Sequence, residues 1–190
     1  LGLAKVYFPA NTFYENFHIE LEKVRDTVTI HNNRVPAHRN FTLTFDASKY
    51  TEAEQKQLFI ARLDKKLKPN YASTYKRGNT FTTRTRNLGT YTLVKDTIPP
   101  KIRTKNFKNK QWLTNYRYLS LMISDDLSGI NTYSATLNGE WILMEYEPKT
   151  KTLTYNFDDK ILDKKQCELK VVVKDNVGNT SNYKVSFYRK

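Results

Sequence analysis

The chain has 190 residues, of which 38% are hydrophobic and 13% aromatic; this is enough apolar material for two modest cores and excludes a disordered protein. Its net charge of +13 is shared evenly, because residues 1–97 carry 16 Lys and Arg against 9 Asp and Glu, and residues 98–190 carry 16 against 10. Nucleic-acid binders usually concentrate their charge on one face or arm, so we expect no nucleic-acid partner. We interpret the charge as a solvated basic surface. The alternative is attraction to a cell-wall polyanion or to anionic lipid headgroups.

Alternating apolar residues predict half-buried strands in the first half of the chain. The sets are Ile19 and Leu21, then Val28 and Ile30, then Phe41, Leu43 and Phe45. One segment departs from this pattern: Thr51 and Glu54 have the spacing of a capping box, and Gln55-Lys-Gln follows. We therefore predict one helix of at most two turns before the apolar run 58–63.

The consecutive prolines Pro99 and Pro100 favour an extended, semi-rigid spacer. They predict a boundary between two domains, 1–97 and 98–190. The fold class is therefore expected to be all-β: two consecutive β-sandwich, immunoglobulin-like domains with one short helix in the first. No apolar run approaches the roughly 20 residues that span a bilayer, so no transmembrane segment is predicted.

The second half repeats the strand pattern, and its turns are readable. Asn138-Gly139 predicts a type I′ hairpin between 133–137 and the apolar strand 141–146, because both central residues of that turn need positive φ. The turn 147–151 leads into the next strand. The alternating sets are Leu119, Leu121 and Ile123, then Leu153, Tyr155 and Phe157, then Tyr183, Val185 and Phe187.

The single cysteine, Cys167, shares one face of its predicted strand with Leu169, Val171 and Val173. We expect a buried thiol rather than a reactive nucleophile. One cysteine cannot form an internal disulfide, so cysteine usage does not decide between the cytoplasm and an oxidising compartment.

Several segments, taken in order, carry a resemblance that covers nearly the whole chain. They are Phe59-Ile-Ala-Arg, Thr82-Thr-Arg-Thr-Arg-Asn-Leu-Gly-Thr-Tyr-Thr-Leu, Asp96-Thr-Ile-Pro-Pro, Asp125-Asp-Leu-Ser-Gly-Ile, Leu137-Asn-Gly-Glu-Trp-Ile-Leu-Met-Glu-Tyr and Lys174-Asp-Asn-Val-Gly-Asn. The chain resembles the C-terminal, non-catalytic region of the lysostaphin-like zinc endopeptidases of Bacteroidetes. The last segment is shared by many bacterial immunoglobulin-like domains, so a different parent protein with the same modules stays open.

The resemblance implies a parent that cleaves peptide cross-bridges of peptidoglycan. Its zinc would be held by a separate, upstream catalytic domain with H-x-x-x-D and H-x-H motifs, and the protein would be exported to the periplasm, cell envelope or surface. The chain opens with Leu1-Gly-Leu-Ala rather than Met. We therefore expect a trimmed or mature fragment whose partner is that upstream domain.

Catalytic constellations are missing from this sequence. Neither zinc motif occurs, and there is no Gly-rich phosphate loop or Gly-x-Ser-x-Gly elbow. The three histidines, His18, His31 and His38, lie at polar positions and are predicted to be surface imidazoles rather than the ligands of a catalytic zinc. We expect no catalytic, cofactor-binding or metal-binding residue, and the chain itself is not predicted to be an enzyme.

An acidic cluster offers the hard oxygen ligands that calcium requires. It comprises Asp125, Asp126, Asp175, Asn176 and Asn179, near Gly129 and Gly178. Such side chains also stabilise turns by bonding to the backbone, and glycine permits positive φ there. We expect turn stabilisation and keep calcium as the less favoured alternative.

Aromatic residues offer a second ligand hypothesis, because aromatic faces stack on sugar rings. Trp112, in a Lys-rich loop, is the better candidate for such stacking, whereas Trp141 is predicted to pack into the sandwich or against a neighbour; packing roles for both are the competing interpretation. The predicted function is a non-catalytic accessory region that positions a cell-envelope endopeptidase. The alternative is a free-standing adhesion or glycan-binding module.

Overall fold

The computed structural model describes residues 4–159 and 164–190. The fold is nearly all β, which confirms the predicted fold class. The chain divides into two compact units, Leu1–Thr97 (unit 1) and Ile98–Lys190 (unit 2). Within the described ranges, no helix is long and apolar enough to cross a membrane.

Unit 1 is a sandwich of a four-stranded sheet, in the order β1-β4-β8-β7, and a five-stranded sheet, in the order β2-β3-β9-β5-β6. Strands that lie next to each other in these sheets pair antiparallel. The elements are β1 Ala4–Tyr7, β2 Leu21–Val24, β3 Thr27–Ile30, β4 Phe41–Asp46, α1 Glu52–Gln57, β5 Leu58–Leu63, β6 Pro69–Tyr71, β7 Tyr75–Arg77, β8 Thr80–Thr85 and β9 Gly89–Lys95.

The core of unit 1 lies between the inner faces of its two sheets. As predicted, the alternating residues of β3 and β4 are buried: Val28, Ile30, Phe41, Leu43 and Phe45. The first predicted strand is only partly right. Ile19 precedes β2 and packs against the core, but Leu21 is exposed, because all of β2 lies at the edge of its sheet.

The helix α1 is built as its sequence predicts. Thr51 is the N-cap: its hydroxyl accepts from the Glu54 backbone N–H at 3.3 Å, and the Glu54 carboxylate accepts from the Thr51 N–H at 3.1 Å. The helix then stops at Gln57, where the chain enters β5. The strand β5 buries four consecutive residues, Leu58 to Ala61, so it is covered on both faces.

Unit 2 is a second sandwich, with a four-stranded sheet in the order β10-β12-β16-β15 and a five-stranded sheet in the order β11-β18-β17-β13-β14. The elements are β10 Lys101–Thr104, β11 Gln111–Trp112, β12 Tyr118–Ser124, β13 Ile130–Leu137, β14 Glu140–Ile142, β15 Glu145–Glu147, β16 Thr152–Asn156, a 3-10 helix Phe157–Asp159, β17 Gln166–Asp175 and β18 Thr180–Tyr188. Its core contains the predicted apolar residues of β12, β16, β17 and β18, except Tyr183, which is partly buried and packs against the core. The predicted core residue Phe157 is also buried, but it lies in the 3-10 helix.

The Asn138-Gly139 hairpin is confirmed. The two residues have φ of 54° and 89°, and they join β13 to β14. The apolar run that follows is not one strand, however. Its first part, β14, belongs to the five-stranded sheet, and the chain then crosses to the four-stranded sheet, where residues 145–147 form β15.

Alternation along the short strand β14 sets the orientation of Trp141. It pairs with Thr136, whereas the next residue, Ile142, pairs with Ala135 and is buried. Trp141 therefore points away from the core and is 67% exposed. The prediction that Trp141 packs into its own sandwich is wrong, because alternation assigns the inward position of this short edge strand to Ile142.

Candidate ligand-contact surfaces

A pair of aromatic residues, one exposed and one half-buried, lies at one edge of the five-stranded sheet of unit 2. The short strand β11 runs parallel to β18 and places Trp112 opposite Tyr188, with ring centroids 5.3 Å apart and planes inclined by 33°. Their neighbours Leu113 and Phe187 are buried in the core, so alternation turns the pair outward. Trp112 remains 47% exposed.

A cation adjoins this aromatic pair. The ammonium group of Lys165 lies 5.1 Å from the centre of a Trp112 ring, within the range of a cation–π interaction. The surface formed by Trp112, Tyr188 and Lys165, here called the aromatic platform, thus combines broad apolar rings with a positive charge. This is the chemistry needed to stack on a sugar ring and attract an acidic group beside it.

The Lys-rich loop before β11 holds the aromatic platform in place through bonds to β18. The Lys110 N–H donates to the Ser186 carbonyl at 2.7 Å, and the Ser186 N–H donates to the Asn109 side-chain oxygen at 3.1 Å. Gln111 adds a bond from its side-chain amide to the Tyr116 hydroxyl at 2.9 Å. Trp112 is therefore on a braced strand rather than on a free loop.

The sequence indicated Trp112 but not its two companions. Tyr188 follows the alternating set Tyr183, Val185 and Phe187 and falls on the face that Lys184 and Ser186 share. An aromatic residue on an otherwise polar face was the available signal. No local signal existed for Lys165, because its approach to Trp112 depends on a contact between residues 53 positions apart in the sequence.

The acidic cluster of unit 2 is built around Asp175, which is fully buried. One carboxylate oxygen accepts from the backbone N–H groups of Val177, Gly178 and Asn179, at 3.0, 2.7 and 2.8 Å. The other oxygen accepts from the Asn179 side-chain amide at 2.8 Å. The carboxylate therefore closes the turn between β17 and β18, as predicted for a turn-stabilising aspartate.

Asp125 has the same role in the turn before β13. Its carboxylate accepts from the N–H groups of Leu127 and Gly129, at 3.0 and 2.6 Å. Asn176 joins the two turns by donating to the Ser128 carbonyl at 2.8 Å. Asp126 instead forms an exposed ion pair with Lys101 at 2.6 Å.

The two buried or half-buried carboxylates of this cluster are close together. Oxygen atoms of Asp125 and Asp175 lie within 4.8 Å of each other, which is near enough to share a cation. Both carboxylates already accept backbone hydrogen bonds in their turns. Calcium binding stays a prediction of lower rank than turn stabilisation.

The histidines divide into two kinds. His18 and His38 are exposed, as predicted. His31 is not a surface imidazole: its side chain is only 12% exposed, its ring packs 5.0 Å from that of Phe17, and its Nδ1 lies 3.6 Å from a Glu20 carboxylate oxygen. A positive φ of 47° turns His31 out of the strand alternation on which the prediction depended. Among the described residues, no metal-competent group of three or more His, Cys, Asp or Glu contains a histidine.

Cys167 lies in the core of unit 2, as predicted. It is fully buried, and its thiol donates to the Lys164 carbonyl at 3.3 Å. Burial raises the pKa of the Cys167 thiol, because the thiolate would lose its hydration. The side chain acts as a small apolar residue.

Comparison with known proteins found a family match within unit 1. Residues 3–96 match a family model described as Zu5-like domain. Among solved structures, the fibronectin(III)-like modules of Clostridium thermocellum CbhA are similar, with 14% sequence identity, a TM-score of 0.38, and coverage of 80% of this chain and 84% of that chain. No curated protein matches the chain significantly.

We expect replacement of Asp175 by alanine to destabilise unit 2 strongly. The substitution leaves three N–H groups of the β17–β18 turn without their acceptor, which should cost at least about 2 kcal/mol of unfolding free energy. Urea denaturation measures the effect. Asp158→Ala, which removes an exposed ion pair with Arg117, is the control and should cost less than about 1 kcal/mol. Equal losses in the two variants would contradict the assigned role of Asp175.

The same denaturation series tests the calcium alternative. If calcium binds at Asp125 and Asp175, adding calcium chloride raises the unfolding midpoint of the wild type and has no effect on Asp175→Ala. If the carboxylates serve the turns alone, the midpoint of the wild type does not move.

The Cys167 thiol is expected to resist modification in the folded protein. Because burial raises its pKa, raising the pH from about 7 to about 8.5, where a free thiol becomes half ionised, should leave the reaction with Ellman's reagent slow. Denaturant should unfold the protein and expose the thiol, so that one thiol per chain then reacts rapidly. Rapid modification of the folded protein would show that Cys167 is accessible and reactive.

Proposed function

We propose that this chain is a non-catalytic accessory region that positions a peptidoglycan endopeptidase in a bacterial cell envelope, in the periplasm or at the surface. The observation that carries the proposal is the aromatic platform of Trp112, Tyr188 and Lys165, in which the exposed Trp112 lies on a braced strand. Such a surface can stack on the sugar rings of the wall polymer. Binding there would raise the local concentration of an attached catalytic domain near its substrate.

The resemblance of the ordered sequence segments supports the link to an endopeptidase. In that arrangement the partner is an upstream catalytic domain of the same polypeptide, and the zinc and the hydrolytic chemistry belong to that domain. This chain would contribute binding and spacing only, and needs no cofactor of its own. The net charge of +13 adds a long-range attraction to anionic wall components.

A free-standing adhesion or glycan-binding module is the second candidate function. The aromatic platform supports it equally well, because contact with a glycan does not require an attached enzyme. The two functions differ in what the rest of the polypeptide contains, and not in the surface that binds.

We expect the protein to co-sediment with purified peptidoglycan through the aromatic platform. Trp112→Ala removes the largest exposed ring of the platform and should weaken binding at least about tenfold, the effect typical of a central aromatic contact. Trp141→Ala is the matched control, since Trp141 is the more exposed tryptophan, at 67%, and lies outside the platform. Equal loss in both variants would indicate nonspecific adhesion, and unchanged binding by Trp112→Ala would remove the platform from the proposal.

The association with a peptidase is tested separately by the native coding sequence upstream of Leu1. A β-rich domain with H-x-x-x-D and H-x-H motifs is the expected result, and zinc-dependent peptidoglycan hydrolysis by the full-length protein would complete the case. An upstream region with no such motifs would overturn the accessory role and favour the free-standing module.

A further inference from the structure

A charged side chain occupies a core-facing position in unit 1. On β5, alternation puts Arg62 on the same face as the buried core residues Leu58 and Ile60. Its register partner on β9 is Tyr91, which is itself part of the core. Arg62 thus lies where the sandwich pattern calls for an apolar residue, and it is partly buried.

The facing sheet is also polar at this end of the sandwich. On β8, Thr83 and Thr85 pair with Leu43 and Phe41 of β4, so they share the inner face of that sheet. Thr83 is almost fully buried. Arg62, Tyr91, Thr83 and Thr85 line a cleft of about 270 Å³, and Tyr71 and Ser73 extend its wall.

The guanidinium group of Arg62 has no anionic partner among the residues that the structure describes. Across residues 4–159 and 164–190, no hydrogen bond or ion pair engages it. The described residues that line the cleft include a second arginine, Arg84, and no Asp or Glu. A partly buried cation that lacks a counter-charge is unfavourable for folding. A bound anionic ligand would supply that counter-charge.

Tyr91 does not supply the missing partner. Its hydroxyl donates its proton to the Asn87 carbonyl, and burial raises its pKa, so the ring stays neutral. The positive charge of Arg62 acts on the same hydroxyl and opposes this rise. The charge of Arg62 is therefore felt inside the cleft rather than only in bulk solvent.

We infer that this cleft binds a carboxylate end group of a small ligand, with Arg62 as the main contact. The planar guanidinium fork matches the two oxygens of a carboxylate, and the Thr83 and Thr85 side chains give the facing wall of the cleft a polar character. The cleft is slightly smaller than the roughly 300–1,000 Å³ of a pocket that encloses a whole ligand. It therefore suits the end of a longer molecule, such as a peptide C-terminus or a sugar acid.

This inference does not rest on the proposed envelope function, because the cleft lies in unit 1 and the aromatic platform in unit 2. It also separates a binding role for Arg62 from a structural one. A structural arginine stabilises the fold through its contacts, whereas an unpaired arginine that waits for a ligand destabilises it. Arg62→Leu should accordingly leave the melting temperature unchanged or raise it.

The binding test titrates the isotope-labelled protein with four probes: N-acetyl-Ala-Ala with a free carboxylate, its C-terminal amide, glucuronic acid and inorganic phosphate. Amide signals of the cleft, including those of Thr83 and Tyr91, report binding directly. We expect at least one carboxylate probe to shift them and the amide to shift none. Preference for the dipeptide over glucuronic acid identifies a peptide end as the source of the carboxylate, and the reverse identifies a sugar acid.

Substitutions complete the test. Arg62→Gln should weaken carboxylate binding at least about tenfold, as expected for loss of a charge-assisted bond. Arg77→Gln, at an exposed arginine of β7 outside the cleft, should bind as the wild type does. The inference is overturned if no carboxylate probe shifts the cleft signals, if phosphate alone does, if Arg62→Gln binds normally, or if Arg62→Leu lowers the melting temperature as a core substitution would.

Discussion

The constraint on which this structure depends is that each sheet has one inner face, and every group on that face must be apolar or have a polar partner. Two charged residues test it. Asp175 continues the inner set Cys167, Leu169, Val171 and Val173 of β17, and Arg62 continues the inner set of β5. The Asp175 carboxylate is satisfied by the turn that follows it. Among the described residues, no turn supplies hydrogen-bond partners to the Arg62 guanidinium. This difference distinguishes a charge that stabilises the fold from one that is available to bind a ligand.

Outward-facing aromatics follow a different logic, since an exposed ring costs little and is common on protein surfaces. Trp141 and Trp112 are both exposed, yet among the contacts of the described residues only Trp112 stacks on a neighbouring ring and lies beside a cation. Trp141 projects from a three-residue edge strand just before the chain changes sheets. Exposure alone therefore does not identify a binding surface, whereas a braced pair of rings with a charge beside it provides a defined geometry.

Local pattern was enough to predict much of the fold. Alternation located the buried residues of β3, β4 and β12, and the capping box and the Asn138-Gly139 turn were formed as their chemistry requires. The predictions failed where the backbone conformation of one residue, or the sheet to which a strand belongs, is not determined by the local sequence pattern. His31 left its alternation through a positive φ, and the apolar run after Gly139 was divided between two sheets. Single-residue backbone geometry and sheet assignment are not encoded in hydrophobic periodicity.

The binding surfaces were harder to predict for the same reason. The platform brings Trp112 next to Tyr188 through a parallel strand pairing between residues 76 positions apart in the sequence. The cleft is lined by residues of β5 and β8, which belong to the two different sheets of unit 1. In the sequence, Arg62 is one basic residue among 32. Its inward position is shown by its alternation with Leu58 and Ile60 on β5 and by its register against Tyr91. The even charge of the two halves conceals this, because a net charge counts residues and not the faces on which they lie. What distinguishes Arg62 is that no acidic residue lines its cleft within the described part of the chain, and this is a property of the folded sheets alone.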